Sequence, residues 1–208
     1  MVFSILIAVL VAYFLGNLNG AVSISTLFAH DDVRNHGSGN AGLTNFFRNY
    51  GGWYTLLVFL IDVGKAALAC YAGALLMEPY GLYQEGMALA AVAVSLGHDF
   101  PALLGFRGGK GILCGFTIAL AMDWRIGLLI FVVFALTFVL THYVSLGSIL
   151  ASITFCISFA ILHSDNPLVL VCGLLCGLLA FYMHHENLKR LINGTESKVF
   201  LTKRNQKS

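Results

Sequence analysis

The chain has 208 residues, 58% hydrophobic and only 11% charged, with a formal net charge of +2. A soluble domain carries roughly 25% charged residues, so this composition excludes an ordinary soluble globule and reads as a polytopic membrane protein. So small a charge, without any basic-aromatic stripe, also excludes a nucleic-acid partner.

Apolar segments fall at about 2–29, 52–77, 87–104, 112–122, 126–142, 145–163 and 167–183. The first, from Met1 to Ala29, holds no charged residue. At 1.5 Å per residue it is longer than a hydrocarbon core of about 30 Å. A cleaved signal peptide would need a positive start, yet no Lys or Arg precedes Arg34. A retained first helix is expected. The fourth segment is too short for a full crossing and the fifth is marginal, which is tolerated where a helix packs against protein or lines a polar cavity. The expectation is an all-α polytopic protein with about seven membrane helices, one or two of them short. Five spans, with the short segments re-entrant, is the alternative. No repeat or long linker divides residues 1–208, so a single integral-membrane domain is expected, ending in a short frayed tail from Leu188 to Ser208.

Basic residues orient the bundle. With the N-terminus outside, Arg34, Arg48, Arg107, Lys110, Lys189, Arg190, Lys198, Lys203, Arg204 and Lys207 all face the cytoplasm, ten of the twelve bases. Arg125 is left outside and Lys65 within a helix. The loop from Met77 to Gly86 carries Glu78 and Glu85 but no base, as the positive-inside rule requires. The C-terminus is then cytoplasmic, and all the polar motifs share that side. Cys70, Cys114, Cys156, Cys172 and Cys176 lie in apolar surroundings and read as packing residues rather than metal ligands or disulfides.

Three polar segments carry chemistry. The first loop reads DDVRNHGSGNAGLTNFFR from Asp31 to Arg48. Its bland reading is a tight turn back into the membrane. Its sharper reading is a phosphate cradle: Gly37 and Gly39 admit a close backbone, Ser38, Asn40, Thr44 and Asn45 offer hydrogen bonds, and Arg48 pairs with the anion in bidentate fashion. The second reads GHDFPALLGFRGGKG from Gly97 to Gly111. Gly108, Gly109, Lys110 and Gly111 directly precede an apolar segment, where a helix N-terminus would favour an anion. The Walker spacing is absent, so nothing indicates a nucleotide. The third runs from His184 to Glu196. His184, Asn187 and Arg190 recur every third residue and share one helix face, against the bland alternative of a juxtamembrane helix on anionic lipid. Within the second helix, Asp62 and Lys65 stand at i, i+3. Charges at that depth read as a mutual ion pair that organises the bundle, with a proton relay, which nothing else in the helix supports, as the alternative.

Together these segments resemble the PlsY family, the bacterial acyl-phosphate:glycerol-3-phosphate acyltransferases. Gly37–Arg48 matches a motif like GSGNxGxTNxxR, Gly97–Gly111 one like GHxFPxxLxFxGGKG, and His184–Glu196 one like HxxNxxRLxxGxE. An Asp-x-x-Lys pair like Asp62 and Lys65 is also usual there. One departure follows GGKG, where Ile112-Leu113-Cys114 stands in place of the common Val-Ala-Thr.

The resemblance implies a multi-pass enzyme of the bacterial inner membrane with its active site at the cytoplasmic face. It implies transfer of a fatty acyl group from acyl phosphate to the 1-hydroxyl of sn-glycerol 3-phosphate, with no cofactor and no metal. Ser38, Arg48, Lys110, His184 and Asn187 would be catalytic. The neighbouring loop residues, His98 and Arg190 would bind substrate, with Glu196 anchoring a cation. Membrane lipids and an acyl-phosphate synthase are the implied partners. The HxxxxD motif of the other acyltransferase class is absent. Two rival functions remain on the residues alone. A transporter of phosphorylated solutes would also use Arg, Lys and helix N-termini, but no inverted repeat is visible. A lipid phosphatase or phosphotransferase would need carboxylate clusters beyond Asp31 and Asp32.

Overall fold

A computed structural model describes residues 1–200. The tail bases Lys203, Arg204 and Lys207 lie outside the described residues. Every regular element is helical: α1 (Val2–Asn17), α2 (Gly20–Ala29), α3 (Leu43–Asn49), α4 (Tyr54–Met77), α5 (Tyr83–Asp99), α6 (Ile112–Met122), α7 (Trp124–Thr141), α8 (Val144–Leu162), α9 (Pro167–Met183) and α10 (His185–Ile192), with three single 3-10 turns between them.

Among the described residues four helices, α4, α5, α7 and α8, are long and apolar enough to cross a membrane, or six if each bent pair is one span. The segment that looked marginal in sequence is the 18-residue α7, and the short one is the 11-residue α6. Helix α6 stands between α4 and α7 and leans on α5. That is the protein-packed setting in which a short helix survives at membrane depth.

The single helix expected over the first apolar run is in fact two. The chain breaks at Leu18–Asn19 and α2 leaves α1 at 42°. Asn19 explains the restart: its side-chain oxygen accepts the Val22 N–H at 3.0 Å, an N-cap inside an apolar sequence. Its amide donates to the Ala41 carbonyl at 2.9 Å, so the break also pins the first polar loop.

Breaking a helix at this depth frees backbone groups that lipid cannot satisfy. The expected ion pair satisfies them. Lys65 Nζ stands 2.8 Å from Asp62 Oδ1 and donates to the Leu18 carbonyl at 2.6 Å and the Gly16 carbonyl at 3.3 Å. Asp62 accepts the Gly20 N–H at 3.2 Å. His98 Nδ1 lies 2.8 Å from Lys65 Nζ. Three ammonium protons thus face four acceptors, a carboxylate, a histidine and two freed carbonyls, of which the Leu18 carbonyl lies at a partly exposed edge.

Around this knot, α1, α4 and α5 approach through small residues. A Cβ on Gly16 would meet the Val94 carbonyl at 2.5 Å, and one on Gly97 would collide with the Tyr13 carbonyl. Such close backbones are how helices associate where lipid is as apolar as leucine. None of the five cysteines is in a disulfide, and four are buried.

Candidate active site

The three polar segments converge on one cavity of ≈ 1380 Å³. Its mouth is lined by Ser38, Arg48, Lys110, His184, Asn187, Arg190 and Glu196, and its inner part by α7, α8 and α9 side chains such as Phe134, Phe155 and Cys176. One end is polar and cationic; the other is hydrocarbon.

Asn45 lines the cavity and also builds the first loop. Its amide donates to the carbonyls of Val33, His36 and Asn40 at 3.0–3.1 Å, and its oxygen accepts the Ser38 N–H at 3.0 Å. Asn45 thus clasps the loop from a place on the cavity wall. Gly37 sits beside this amide with φ +57°, a conformation that favours glycine, and any Cβ there would run into Asn45. Asn40 and Thr44 line the cavity, as does Gly37. Gly39 does not, although its φ of +69° shows why glycine stands there.

Arg34 joins the first loop to the second. It grips both Asp32 oxygens at 2.7–3.0 Å and donates to the carbonyls of Leu104 and Arg107 at 2.8 and 3.1 Å. In the second loop, a Cβ on Gly108 would collide with the His98 carbonyl and one on Gly109 with the His98 ring. Those two glycines pack closely against His98. His98 itself reaches the cavity wall while its Nδ1 joins the Lys65 knot. Gly111, at φ +68°, starts α6 and lines the cavity. Cys114 faces away, its sulfur 3.7 Å from the Asp62 carbonyl. The position where threonine is common is thus a helix–helix contact.

The third segment is a relay of side chains. Lys110 Nζ donates to Asn187 Oδ1, Asn187 Nδ2 donates to Glu196 Oε1 at 2.8 Å, and Arg190 Nε donates to Glu196 Oε2 at 2.7 Å. His184 Nδ1 contacts the Ala180 carbonyl at 2.8 Å. A carbonyl only accepts, so Nδ1 carries the proton and Nε2 of the neutral ring is left as an acceptor.

Electrostatics at the mouth are unbalanced. Arg48, Lys110 and Arg190 all feel the Glu196 carboxylate, and Glu186 also acts on Lys110. Burial lowers the Lys110 ammonium from its ordinary value, and Arg190 and Arg48 press it the same way. Burial likewise lowers Arg48, with Glu196 opposing and Arg190 reinforcing. Burial raises Glu196, but hydrogen bonds from Asn187, Arg190 and Ser145 outweigh it and leave the carboxyl below its usual range.

The tail after α10 is more than an extension. The Val199 N–H donates to the His142 carbonyl at 2.9 Å, and Arg48 Nη2 donates to the Ser197 carbonyl at 3.2 Å. Residues 196–200 thereby lie along the cavity. Sequence reasoning missed this strap because its partners, Arg48, His142 and Tyr143, are far away in sequence. It also passed over Asn19, although a capping residue next to glycine inside an apolar run was the available signal.

Comparison with known proteins agrees with this geometry. A profile of the glycerol-3-phosphate acyltransferase family matches residues 6–194. A glycerol-3-phosphate acyltransferase of Thermoanaerobacter sp. (strain X514) is 38% identical over 190 residues, 91% of this chain and 93% of that protein. One from Clostridioides difficile (strain 630) is 37% identical over 200 residues, 95% of this chain and 97% of its own. The crystal structure of PlsY, an integral membrane glycerol 3-phosphate acyltransferase, in its glycerol 3-phosphate form superposes with a TM-score of 0.83 at 33% identity, covering 95% of this chain and 96% of that one. Its lysophosphatidic acid form gives 0.80 at 31%, with the same coverage. Matched in sequence and in backbone over nearly its whole length, this chain belongs to the glycerol-3-phosphate acyltransferase family.

Proposed function

We propose that this protein transfers a fatty acyl group from acyl phosphate to the 1-hydroxyl of sn-glycerol 3-phosphate, yielding lysophosphatidic acid and inorganic phosphate. One observation carries the reading: four cations, Arg48, Lys110, Arg190 and Lys198, outnumber the carboxylates lining a cavity whose interior is apolar. Such a mouth accepts phosphate and such an interior accepts an acyl chain. Solved relatives are described in glycerol 3-phosphate and lysophosphatidic acid forms, which supports the same acceptor and product here.

Both substrates are anionic. Arg48, Lys110 and Ser38 hold the glycerol phosphate, with Arg190 adding field from its Glu196 anchor. Asn187, already fixed between Lys110 and Glu196, orients the 1-hydroxyl. The α6 N-terminus and Gly111 receive the acyl phosphate. The hydroxyl oxygen then forms the ester bond to the acyl carbon, and the bond from that carbon to the phosphate oxygen breaks, phosphate leaving with the electron pair. Because the donor is already activated, no acyl-enzyme is required, and positioning supplies much of the rate. Cations at the mouth offset charge on the carbonyl oxygen and on the leaving phosphate. The hydroxyl proton goes to the departing phosphate or to His184 Nε2. Replacing His184 with Gln separates the two: unchanged turnover and pH profile assign it to phosphate.

On this reading the protein works in the bacterial inner membrane with its mouth at the cytoplasmic face, and an acyl-phosphate synthase supplies the donor. The test is purified protein with palmitoyl phosphate, glycerol 3-phosphate and EDTA. Phosphate and lysophosphatidic acid appearing one for one, and lost in Lys110→Ala, support it. Phosphate alone would mean a hydrolase, and neither product would favour transport of a phosphorylated solute.

A further inference from the structure

The first loop is tied from inside by Asn45 and to the second loop by Arg34. A third tie runs around its outer side, through a carboxylate that the proposed chemistry does not use. Asp31 follows α2, where the chain turns at His30 with φ +51° and the Asp31 N–H donates to the Ser25 carbonyl at 3.3 Å. From that mount Asp31 Oδ2 accepts the Tyr50 hydroxyl at 2.9 Å and His36 Nε2–H at 2.5 Å. Its Oδ1 accepts the Asp32 N–H at 2.7 Å, which fixes the carboxyl plane.

The two residues it grips flank the segment from Gly37 to Arg48. His36 directly precedes Gly37 and Ser38, and its carbonyl accepts the Gly39 N–H and the Asn45 amide, each at 3.0 Å. Tyr50 caps α3 two residues beyond Arg48. Its N–H donates to the Phe46 carbonyl at 2.9 Å, and its ring centroid lies 5.0 Å from that of Phe46. Ser38 and Arg48 line the cavity, whereas Asp31, His36 and Tyr50 are not among its lining residues. One carboxylate oxygen thus joins both ends of an arc that carries two substrate-facing side chains. The tie keeps its protonation state near neutral pH. Hydrogen bonds, led by that of Tyr50, hold the Asp31 carboxyl below the usual carboxylate range. Burial, with Asp31 adding to it, pushes the Tyr50 hydroxyl up to about 12.

Resting on the acyl-transfer reading above, we propose that Asp31 is a positioning residue. By clamping His36 to Tyr50 it sets the spacing of Ser38 and Arg48 around the phosphate of glycerol 3-phosphate. A role in holding the fold would be a poor use of this site. The His36 and Asp31 side chains are 45% and 36% exposed, and an exposed ion pair adds little to stability. Asn45 and Arg34 already close the loop without it. Placement is far more sensitive, since a shift of about 1 Å in a positioned group can cost about 10²-fold in rate.

Asp31→Ala removes the clamp and keeps every side chain assigned to substrate. It should raise KM for glycerol 3-phosphate several-fold, with KM for palmitoyl phosphate unchanged and the unfolding temperature in detergent near the wild-type value. His36→Ala should give part of the same rise, and His36→Gln, which keeps an N–H donor, should reverse most of it. Tyr50→Phe removes only the hydroxyl. Added to Asp31→Ala it should cost nothing more, because its partner is already gone. Unchanged KM for both substrates in Asp31→Ala would overturn the proposal and leave the cluster a surface tie. A rise in both KM values together with a lower unfolding temperature would also overturn it, making the cluster a prop of the fold. Full additivity of Asp31→Ala and Tyr50→Phe would do the same, since the two would then act apart. In all three cases wild-type protein still forms lysophosphatidic acid, and the transfer reading stands. Wild-type protein that forms none would sink that reading, and this proposal with it.

Discussion

Two clusters of charge sit in this otherwise apolar molecule, and they are built on opposite principles. The Asp62–Lys65–His98 knot is closed: its charges meet one another and the carbonyls freed at the α1–α2 break. The mouth formed by Arg48, Lys110, Arg190 and Glu196 is open, with cations in excess of carboxylate. Both contain a lysine beside a histidine or an amide. What separates structure from chemistry is whether the charge is already answered within the fold.

The sharpest way to break the comparison is at the closed cluster. Lys65→Met leaves the buried Asp62 carboxylate and two helix-break carbonyls without their donor. Losing one partner of a buried ion pair costs about 3–5 kcal/mol. Thermal unfolding in detergent should show that loss, and activity should fall only as folded protein falls. Asp62→Asn combined with Lys65→Met should be less damaging than Lys65→Met alone, because no orphaned charge remains. A stable but inactive Lys65→Met would place Lys65 in the chemistry.

At the open cluster the expectation reverses. Lys110→Ala should lower kcat by about 10²–10³-fold, the usual effect of removing one preorganised charge-stabilising donor. Its unfolding temperature should stay near the wild-type value. Parallel losses of stability and rate would erase the distinction between the two clusters.

Much of this contrast was legible in sequence, and the reasons differ by residue. Seven apolar runs announce a helical membrane bundle through composition alone. Arg48, Lys110, His184 and Asn187 stand out because polar, glycine-spaced residues are costly at apolar margins and need a purpose. Asp62 and Lys65 are legible as a pair because their i, i+3 spacing brings them together on one helix face. Spacing does not reveal a role fixed by distant backbone. Asn45, on the cavity wall, also holds the carbonyls of Val33, His36 and Asn40, a clasp its spacing does not announce. Gly108 and Gly109 also hold His98 closely, a contact their spacing does not announce. The strap at residues 196–200 depends on partners far away in sequence, whereas the break at Leu18 carried its signal in the Asn19 cap.

Glu196 marks the border between the two principles, since it anchors the open cluster without answering its whole charge. Glu196→Gln keeps a carbonyl for Asn187 but weakens the hold on Arg190. A hydrogen bond to a charged group is worth about 1.5 kcal/mol, so KM for glycerol 3-phosphate should rise about tenfold with kcat little changed. A kcat effect larger than the KM effect would move Glu196 into the chemistry.

Titration sharpens the same point. Burial lowers the Lys110 ammonium below an ordinary lysine. The charge is present below that depressed value and is lost as pH rises through it. Glycerol 3-phosphate binding should therefore weaken on the alkaline side before a free lysine would titrate. Lys110→Arg, if it binds at all, should carry that limb to higher pH, because a guanidinium stays protonated. A limb that does not move assigns the titration elsewhere.

The smallest expected effect is at Cys114, which lies one turn inside α6 yet belongs to the closed cluster. Its sulfur stands 3.7 Å from the Asp62 carbonyl and away from the cavity. A threonine there would present its hydroxyl to the same carbonyl, exchanging a weak thiol donor for a stronger one. Cys114→Thr should shift stability by no more than about 1 kcal/mol and leave KM for both substrates unchanged. A changed KM would mean that α6 passes the state of the Asp62–Lys65 knot to Lys110, and the closed and open clusters would then be one system.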